Sequence, residues 1–360
     1  MNPTAEARVS QTTQISSVAF VEDKLPNYAR IQSYLDQSAE ARHWANSGPL
    51  FQSLAARYAE FLNLPSTSQI FPCANAGLGL EAMARVWAAK KGRKLRWAQP
   101  SFSFKNLGRG YFADGPIVDC ARSGLLDLDR LAQLPADSYD GIIAVNPVGM
   151  ASDFSAVIEF ARSQGKPLLL DNASGLCSQV PDWPWQCFSL HHTKPFGMGE
   201  GGMALIPAEC AAEFQRIIGY ADTPEQADNW LNNAKLSDIS CAFHLDRLDQ
   251  LPQWLPASLE QKARIHSIAQ EFDLMPIGQD PVGDDQMPVT SLAFRAPAVV
   301  PIENLARATT FRPGKYYVPI ADTPVASDLF AHIVNIPAHP TMARLTDAQI
   351  REDISKILAG

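Results

Sequence analysis

Cysteine is present, but never in the company that gives it metal chemistry. The six cysteines, Cys73, Cys120, Cys177, Cys187, Cys210 and Cys241, stand singly along the chain. None forms a CxxC pair or joins histidines at zinc spacing. We expect reduced, mostly buried thiols and no metal site. Basic charge is also in short supply: 30 Lys and Arg face 38 Asp and Glu, a formal net charge of −8. That balance argues against non-specific nucleic-acid binding and against an anionic membrane surface. It leaves room for a phosphorylated small molecule held by local groups. No apolar run approaches the ~20 residues that span a bilayer. The first twenty residues lack the basic and apolar regions of a secretory signal. A soluble, cytoplasmic protein is the expectation. No internal repeat or low-complexity tract interrupts the chain, and Gly77-Leu78-Gly79-Leu80 lacks the GK[ST] ending of a Walker loop.

What the chain does hold is material for a core: 360 residues, 46% hydrophobic and 19% charged. That length suits one large domain and a smaller one. The start is polar and Ser/Thr-rich up to about Val21 and reads as a loose arm. Helical spacing follows over about Tyr28–Trp44, then a turn at Asn46–Leu50 and more helical spacing at Leu54, Tyr58, Phe61 and Leu62. From Ile70 short apolar runs alternate with helical stretches. The strand-like runs begin near Ile70 and Leu95 and include "GIIAVNP", "KPLLLDNASG" as far as Asp171, "CFSLHHT" and "GMALIP". The helices between and after them cover Asp153–Gln164 and Glu209–Ile218. Such alternation predicts an α/β fold with a parallel sheet covered on both faces. Ligands in such sheets bind beyond the carboxyl ends of the strands. Asp171, Pro100–Phe104 and His191–Lys194 all fall just past strand ends, so one rim gathers them. An amphipathic helix is expected over Ser237–Leu251, a break at "LPQWLP", and then a smaller unit. That unit has a long helix over about Leu259–Glu271, strands at "VTSLAF" and "HIVNIP", and a closing helix from about Thr346. "FRPGKYYVPI" reads as a loop feeding a strand.

The stretch "FSLHHTKPFGMGEGG" (Phe188–Gly202) concentrates the chemistry. A surface lysine with a solvated head would satisfy this sequence. A nucleophilic, Schiff-base lysine at Lys194 would need desolvation or nearby positive charge, which His191 and His192 could help supply. Asp171 closes "LLLD" and could cap the next turn. Set against a protonated pyridine nitrogen about 3 Å away, it would contribute roughly 5 kcal/mol of Coulomb energy before desolvation, at an effective dielectric near 20. Lysine and aspartate together are what pyridoxal phosphate (PLP) sites require. "CANAGLGL" puts small residues at a helix start, where free N–H groups attract an anion; an ordinary tight turn reads the same way. Ser189, five residues before Lys194, could add a hydroxyl. An aromatic from "PSFSF" could face the ring or simply pack in the core.

These pieces resemble the DegT/DnrJ sugar aminotransferase family, within the fold-type I PLP-dependent enzymes, from about Leu25 to the C-terminus. "NSGPL" is similar to the family's N-x-G-P turn, "ANAGLGL" to its phosphate loop and "PSFSF" to its P-x-x-T-F stretch. "LLLDNASG" is similar to its D-x-A segment, and "SLHHTKPFGMGEGG" to S-x-H-x-T-K followed by G-E-G-G. "FRPGKYYVPI" resembles R-x-x-Y-x-P-L. The resemblance implies a large domain (25–250) with a mostly parallel seven-stranded sheet between helices. It also implies a smaller α+β C-terminal domain (251–360), after a flexible arm (1–24). Lys194 would carry the cofactor and move the proton, and Asp171 would pair with the ring nitrogen. Phe104 would stack on the ring, and His191 would buttress the site. Ser189 and the backbone of Ala76 and Gly77 would hold the phosphate. Asn233 would reach the phosphate of a neighbouring subunit, which implies a homodimer with shared active sites. Glu200 is read as turn structure.

Departures accompany the match. The family commonly has Thr at the Gly77 position, Gln or His at Ser174 near the cofactor's phenolic oxygen, and Tyr-Arg after Asn233. The implied reaction moves an amino group from an amino acid, L-glutamate in most members, to a keto group of a nucleotide-linked sugar. Lys235, Arg312 and Lys315 are candidates for contacts to the diphosphate, each equally readable as a solvated cation. A non-sugar keto acceptor such as a cyclitol or carbocycle is the main alternative. A sugar dehydratase ranks low, because the best-known branch has His in place of Lys194. A catalytically silent PLP-binding regulator belongs to a different class.

Overall fold

The computed structural model describes residues 17–151, 153–220, 231, 233–278 and 287–359. Seven strands form the main sheet: β1 (Ser68–Cys73), β2 (Trp97–Pro100), β3 (Ile117–Val118), β4 (Gly141–Val145), β5 (Leu168–Asp171), β6 (Gln186–Ser189) and β7 (Gly202–Pro207). Their spatial order is β1-β7-β6-β5-β4-β2-β3. β7 is antiparallel to both of its neighbours, and the pairs from β6 across to β3 are parallel. Alternate side chains feed two cores. Ile143, Val145 and Leu169 join one with α3 (Ala76–Lys91), while Ile142, Ala144, Leu168 and Leu170 join the other with α5 (Ser155–Ser163). Covered on both faces, these strands are apolar throughout instead of alternating.

Around the sheet lie α1 (Tyr28–Ala41), α2 (Pro49–Phe61), α4 (Leu128–Ala132), α6 (Ala211–Ile218) and α7 (Asp238–Asp249). A third core unites α8 (Leu251–Gln270), β8 (Met275–Pro276), β9 (Ser291–Arg295), α9 (Pro324–His332), β10 (Ile333–Pro337) and α10 (Asp347–Leu358). Its three strands are antiparallel, in the order β10-β9-β8. The two regions are tied by Asp119, beyond β3. Its carboxylate accepts hydrogen bonds from Thr323 Oγ1 and from the Val325 and Ala326 N–H groups at the start of α9. All six cysteines are free and buried. No described helix is long and apolar enough to cross a membrane.

Four local differences from the sequence reading have physical reasons. First, "LPQWLP" does not break the chain: α8 runs through Pro256. Pro252 lies among the first four positions, whose N–H groups have no intrahelical partner anyway, and Pro256, the sixth residue, costs the ladder a single bond, the one to the Pro252 carbonyl. Trp254 of α8 lies in the core of the large sheet and Ile265 and Ile268 lie in the third core, so one helix spans both. Second, Asn46–Leu50 is only partly a turn. Pro49 opens α2, a favoured first helical position, and the buried Asp238 carboxylate accepts from the Leu50 and Phe51 N–H groups. Third, the two-residue β3 is too short to leave a periodic signal. Fourth, the arm is anchored where it is described. Val18 bridges to Phe311, exchanging backbone hydrogen bonds with Thr310 and Arg312. Glu22 pairs with Arg247 at 2.7 Å. Residues 1–16 of the expected arm lie outside the described residues.

Candidate active site

The rim expected from the sequence exists. β5 ends at Asp171, β6 ends at Ser189, and the loop from 190 to 201 carries Lys194 back toward β7. Asp171 is 5% exposed. One carboxylate oxygen accepts from Asn106 Nδ2 at 3.3 Å, and the other from the Ala173 N–H at 3.2 Å, with the Cys187 thiol at 3.6 Å. Burial raises the Asp171 pKa, while Asn106, the Ala173 N–H and the Lys194 charge pull the other way. Lys194 Nζ lies 2.6 Å from Ser174 Oγ. Burial lowers the Lys194 pKa and the Asp171 charge opposes that. A buried amine pushed toward its neutral form is a nucleophile.

The candidate anion end is the start of α3. Its cap is Asn75, whose side chain accepts from the Leu78 N–H at 2.8 Å. The Ala76 and Gly77 N–H groups precede the helical ladder and so face outward from the helix start. Gly202 explains one glycine of "GEGG": a Cβ there would sit 2.3 Å from the Ala76 nitrogen. Only a glycine lets β7 pass this close to the helix entrance. Ser189 is buried, and its Oγ accepts from the His191 N–H at 3.2 Å.

His191 is buttressed on both ring nitrogens, with Nδ1 at 2.9 Å from Thr193 Oγ1 and Nε2 at 3.3 Å from Glu200. Glu200, read from the sequence as turn structure, therefore also has a side-chain role. Phe104 is 53% exposed, its ring 6.3 Å from that of Tyr317. Asn233 is exposed on a strip bridged to Gly219, and its Oδ1 accepts from the Lys235 N–H. The neighbouring Ala234 carbonyl accepts from the Ala74 N–H, which sets this strip beside the entrance to α3.

Of the three candidate cations, Lys315 is corrected. Its ammonium is buried in the small unit on the Ala331 and Ile333 carbonyls, each at 3.0 Å. A head satisfied there is not offered to a diphosphate. Lys235 Nζ lies 5.5 Å over the Tyr220 ring, and Arg312 is exposed.

Sequence reasoning missed Asn106, Tyr317 and Lys24. Asn106 holds Asp171, and its Oδ1 is buried with no hydrogen-bond partner. Tyr317 reaches in from the small unit. Lys24 donates to the carbonyls of His192, Lys194 and Gly197 at 2.7, 2.5 and 2.7 Å, and so grips the lysine loop from behind. Arg247 adds two bonds to the Pro195 carbonyl. The only hint of Tyr317 was its place in "KYYVP".

A buried lysine near a buried carboxylate, an unpartnered buried amide oxygen beside that carboxylate, and a helix start suited to phosphate form a donor set that fits pyridoxal phosphate. The fold and this set define a PLP-dependent enzyme of the aminotransferase type. The chain matches the DegT/DnrJ/EryC1/StrS aminotransferase family over residues 27–355, and it belongs to that family. Among curated relatives, Protein Rv3402c of Mycobacterium tuberculosis is 25% identical over 395 residues, covering 96% of this chain and 90% of the relative. Among solved structures, DesI in the presence of its TDP-sugar product is similar with a TM-score of 0.75 at 19% identity, covering 93% of this chain and 91% of that one. 3-Amino-5-hydroxybenzoic acid (AHBA) synthase is similar with a TM-score of 0.76 at 17% identity, covering 94% and 97%.

Proposed function

We propose that the chain transfers an amino group from L-glutamate to a keto group of a nucleotide-linked sugar, acting as a homodimer with shared active sites. The observation that carries the chemistry is the buried Lys194 amine, 2.6 Å from Ser174 Oγ and under the field of the Asp171 carboxylate. Family membership and the likeness to DesI support the sugar acceptor. The exposed Asn233, beside the helix entrance, supports a contribution to a partner's phosphate site.

In this reading Asp171 faces the ring nitrogen and keeps it protonated. The N–H groups of Ala76 and Gly77, with Ser189, bind the phosphate, Phe104 covers the ring, and Ser174 and His191 steady the lysine side. Bound pyridoxal phosphate would supply the electron sink for the carbon next to the transferred nitrogen. Lys194 Nζ then takes and returns the proton at that carbon, a general acid–base contribution of roughly 10²–10⁴-fold. A carbocyclic keto acceptor is the second reading. AHBA synthase matches as well as DesI does, and burial of Lys315 removes one of three candidate diphosphate contacts.

The test is the visible spectrum of the purified protein beside Lys194→Ala. A yellow band that L-glutamate bleaches, and that the variant lacks, is expected. Keto-nucleotide sugars should then restore the band, and keto-cyclitols should not. No band after added pyridoxal phosphate would sink the assignment; restoration by the cyclitols alone would move it to the second reading.

A further inference from the structure

Behind Asp171 runs a chain of three buried amides. β4 and β5 pair with Val145 opposite Asp171, and β5 and β6 pair with Leu170 opposite Gln186. Side chains alternate along a strand, so Asp171 shares the α3 face with Leu169, while Asn146, Asn172 and Gln186 fall on the α5 face. All three are buried. Asn146 Nδ2 donates to Asn172 Oδ1 at 2.7 Å, and Asn172 Nδ2 donates to Gln186 Oε1 at 3.2 Å. Gln186 Nε2 donates to the Pro181 and Trp183 carbonyls at 2.7 and 2.6 Å. At the other end Asn146 Oδ1 accepts from the Ala151 N–H at 3.0 Å, and its Nδ2 donates to the Ala151 carbonyl at 2.8 Å. We propose that Asn172 is a positioning residue: through this chain it fixes the 171–175 turn, so that the Ala173 N–H holds the Asp171 carboxylate in one orientation for the cofactor's ring nitrogen.

The polarity of the chain carries this. Carbonyls only accept, so the Gln186 amide nitrogen is committed to them and its Oε1 must face Asn172. The Ala151 N–H fixes Asn146 in the same way from the other end. Asn172 therefore has one amide orientation, held from two neighbouring strands at once. The backbone follows the side chain. The Gly175 N–H donates to the Asn172 carbonyl at 3.0 Å, and the Asn146 N–H to the Asp171 carbonyl at 2.9 Å. Position 175 has to be glycine, since a Cβ there would fall on Asn172 Oδ1 and Asn146 Nδ2. The turn so closed sets the 172–173 peptide, whose N–H reaches the Asp171 carboxylate at 3.2 Å. That bond favours the ionised carboxylate against the pull of burial. Asn106 and the Cys187 thiol reach the carboxylate as well, each from its own element.

The inference rests on the reading that Asp171 faces a ring nitrogen, and not on the acceptor. Cofactor-stripped full-length protein is titrated by calorimetry with two probes. One is pyridoxamine phosphate, which binds without joining Lys194. The other is its 1-deaza analogue, with C–H in place of the ring nitrogen. Wild type should prefer the first. Asn172→Ala should narrow that preference by ~3–10-fold, part of the worth of one hydrogen bond to a charged group. In an Asp171→Ala background it should add nothing. Should Asn172→Ala not fold, Asn146→Ala breaks the same chain and carries the comparison. Equal losses for both probes, or a narrowing that persists without Asp171, would make Asn172 a structural residue only. Either result overturns the proposal and leaves the aminotransferase reading intact. A wild type that binds both probes alike overturns the pairing of Asp171 with the ring nitrogen, and the proposal with it. A wild type that binds neither overturns the cofactor reading too.

Discussion

Replacing Lys24 with methionine tests whether the segment at residues 17–24 positions the lysine loop. Methionine keeps most of the apolar stem and removes the ammonium with its three N–H donors. The His192, Lys194 and Gly197 carbonyls then lose their shared partner. Lys194 O keeps one other donor, the Gly197 N–H at 3.0 Å. Hydrogen bonds to a charged donor contribute about 1.5–3 kcal/mol each when buried, and the bond to His192 is exposed. Burial and Arg247 push the Lys24 pKa down to about 7, which removes part of that charge-assisted strength. Two half-buried bonds at the lower end of the range and one weak one give a loss of ~3–4 kcal/mol. The assay is urea unfolding of cofactor-free protein followed by tryptophan fluorescence, with cofactor retention measured in parallel. The midpoint should fall, and retention should weaken because Lys194 is itself one of the three acceptors. An unchanged midpoint with an unchanged slope would refute the reasoning, since three lost donors cannot be silent beside the buried Pro195–Met198 stretch.

Gly202→Ala places a Cβ 2.3 Å from the Ala76 nitrogen. Overpacking of that kind costs about 1–3 kcal/mol. Affinity for pyridoxal phosphate should drop by roughly tenfold or more in equilibrium dialysis; full affinity would remove α3 as the phosphate site. A pH effect is expected from two buried histidines. His244 Nε2 donates to the Glu200 carbonyl at 3.0 Å, and His339 Nε2 donates to the Ala19 carbonyl at 3.1 Å. Burial lowers each pKa to about 4. Unfolded histidines titrate near 6.5, so the unfolded chain binds protons first as the pH falls. Stability present above pH 6.5 should therefore be lost between 6.5 and 4, by about 3 kcal/mol for each histidine. Urea midpoints across that range check this, and His244→Gln should remove close to half of the slope.

The sheet and its chemical rim were legible because each depends on short, local signals. "GIIAV" and "LLLD" are apolar because both faces are covered, and Asp171, Ser189 and Lys194 follow strand ends directly. What sequence reading missed depends on contacts between distant residues. Lys24 meets a loop 168 to 173 positions away. Nothing in "VEDKLP" announces that partner. Tyr317 becomes interesting only once its ring is seen against Phe102 and Phe104. Nothing local to Asn106 announces that its amide falls on Asp171. Pro256 misled for the opposite reason: a strong local rule was outweighed by a helix whose Trp254 packs in one core and whose Ile265 and Ile268 pack in another. Lys315 looked like a candidate ligand contact because composition reveals a cation but not the carbonyls that occupy it.

The sheet order also constrains when the site can exist during synthesis. In the main sheet β1 pairs with β7, Ser68 to Pro207 through Cys73 to Gly202. A ribosome that has released β1 must still make ~130 more residues before its partner emerges, at roughly 5–20 residues per second. Until then β1 is an unpaired edge, and the α3 entrance has no β7 beside it. The bridge from Val18 to Phe311 closes later still. The candidate phosphate cradle therefore cannot close before Pro207 is made, and the arm is seated only once Phe311 follows. A truncation anywhere before β7 leaves an exposed strand with no site.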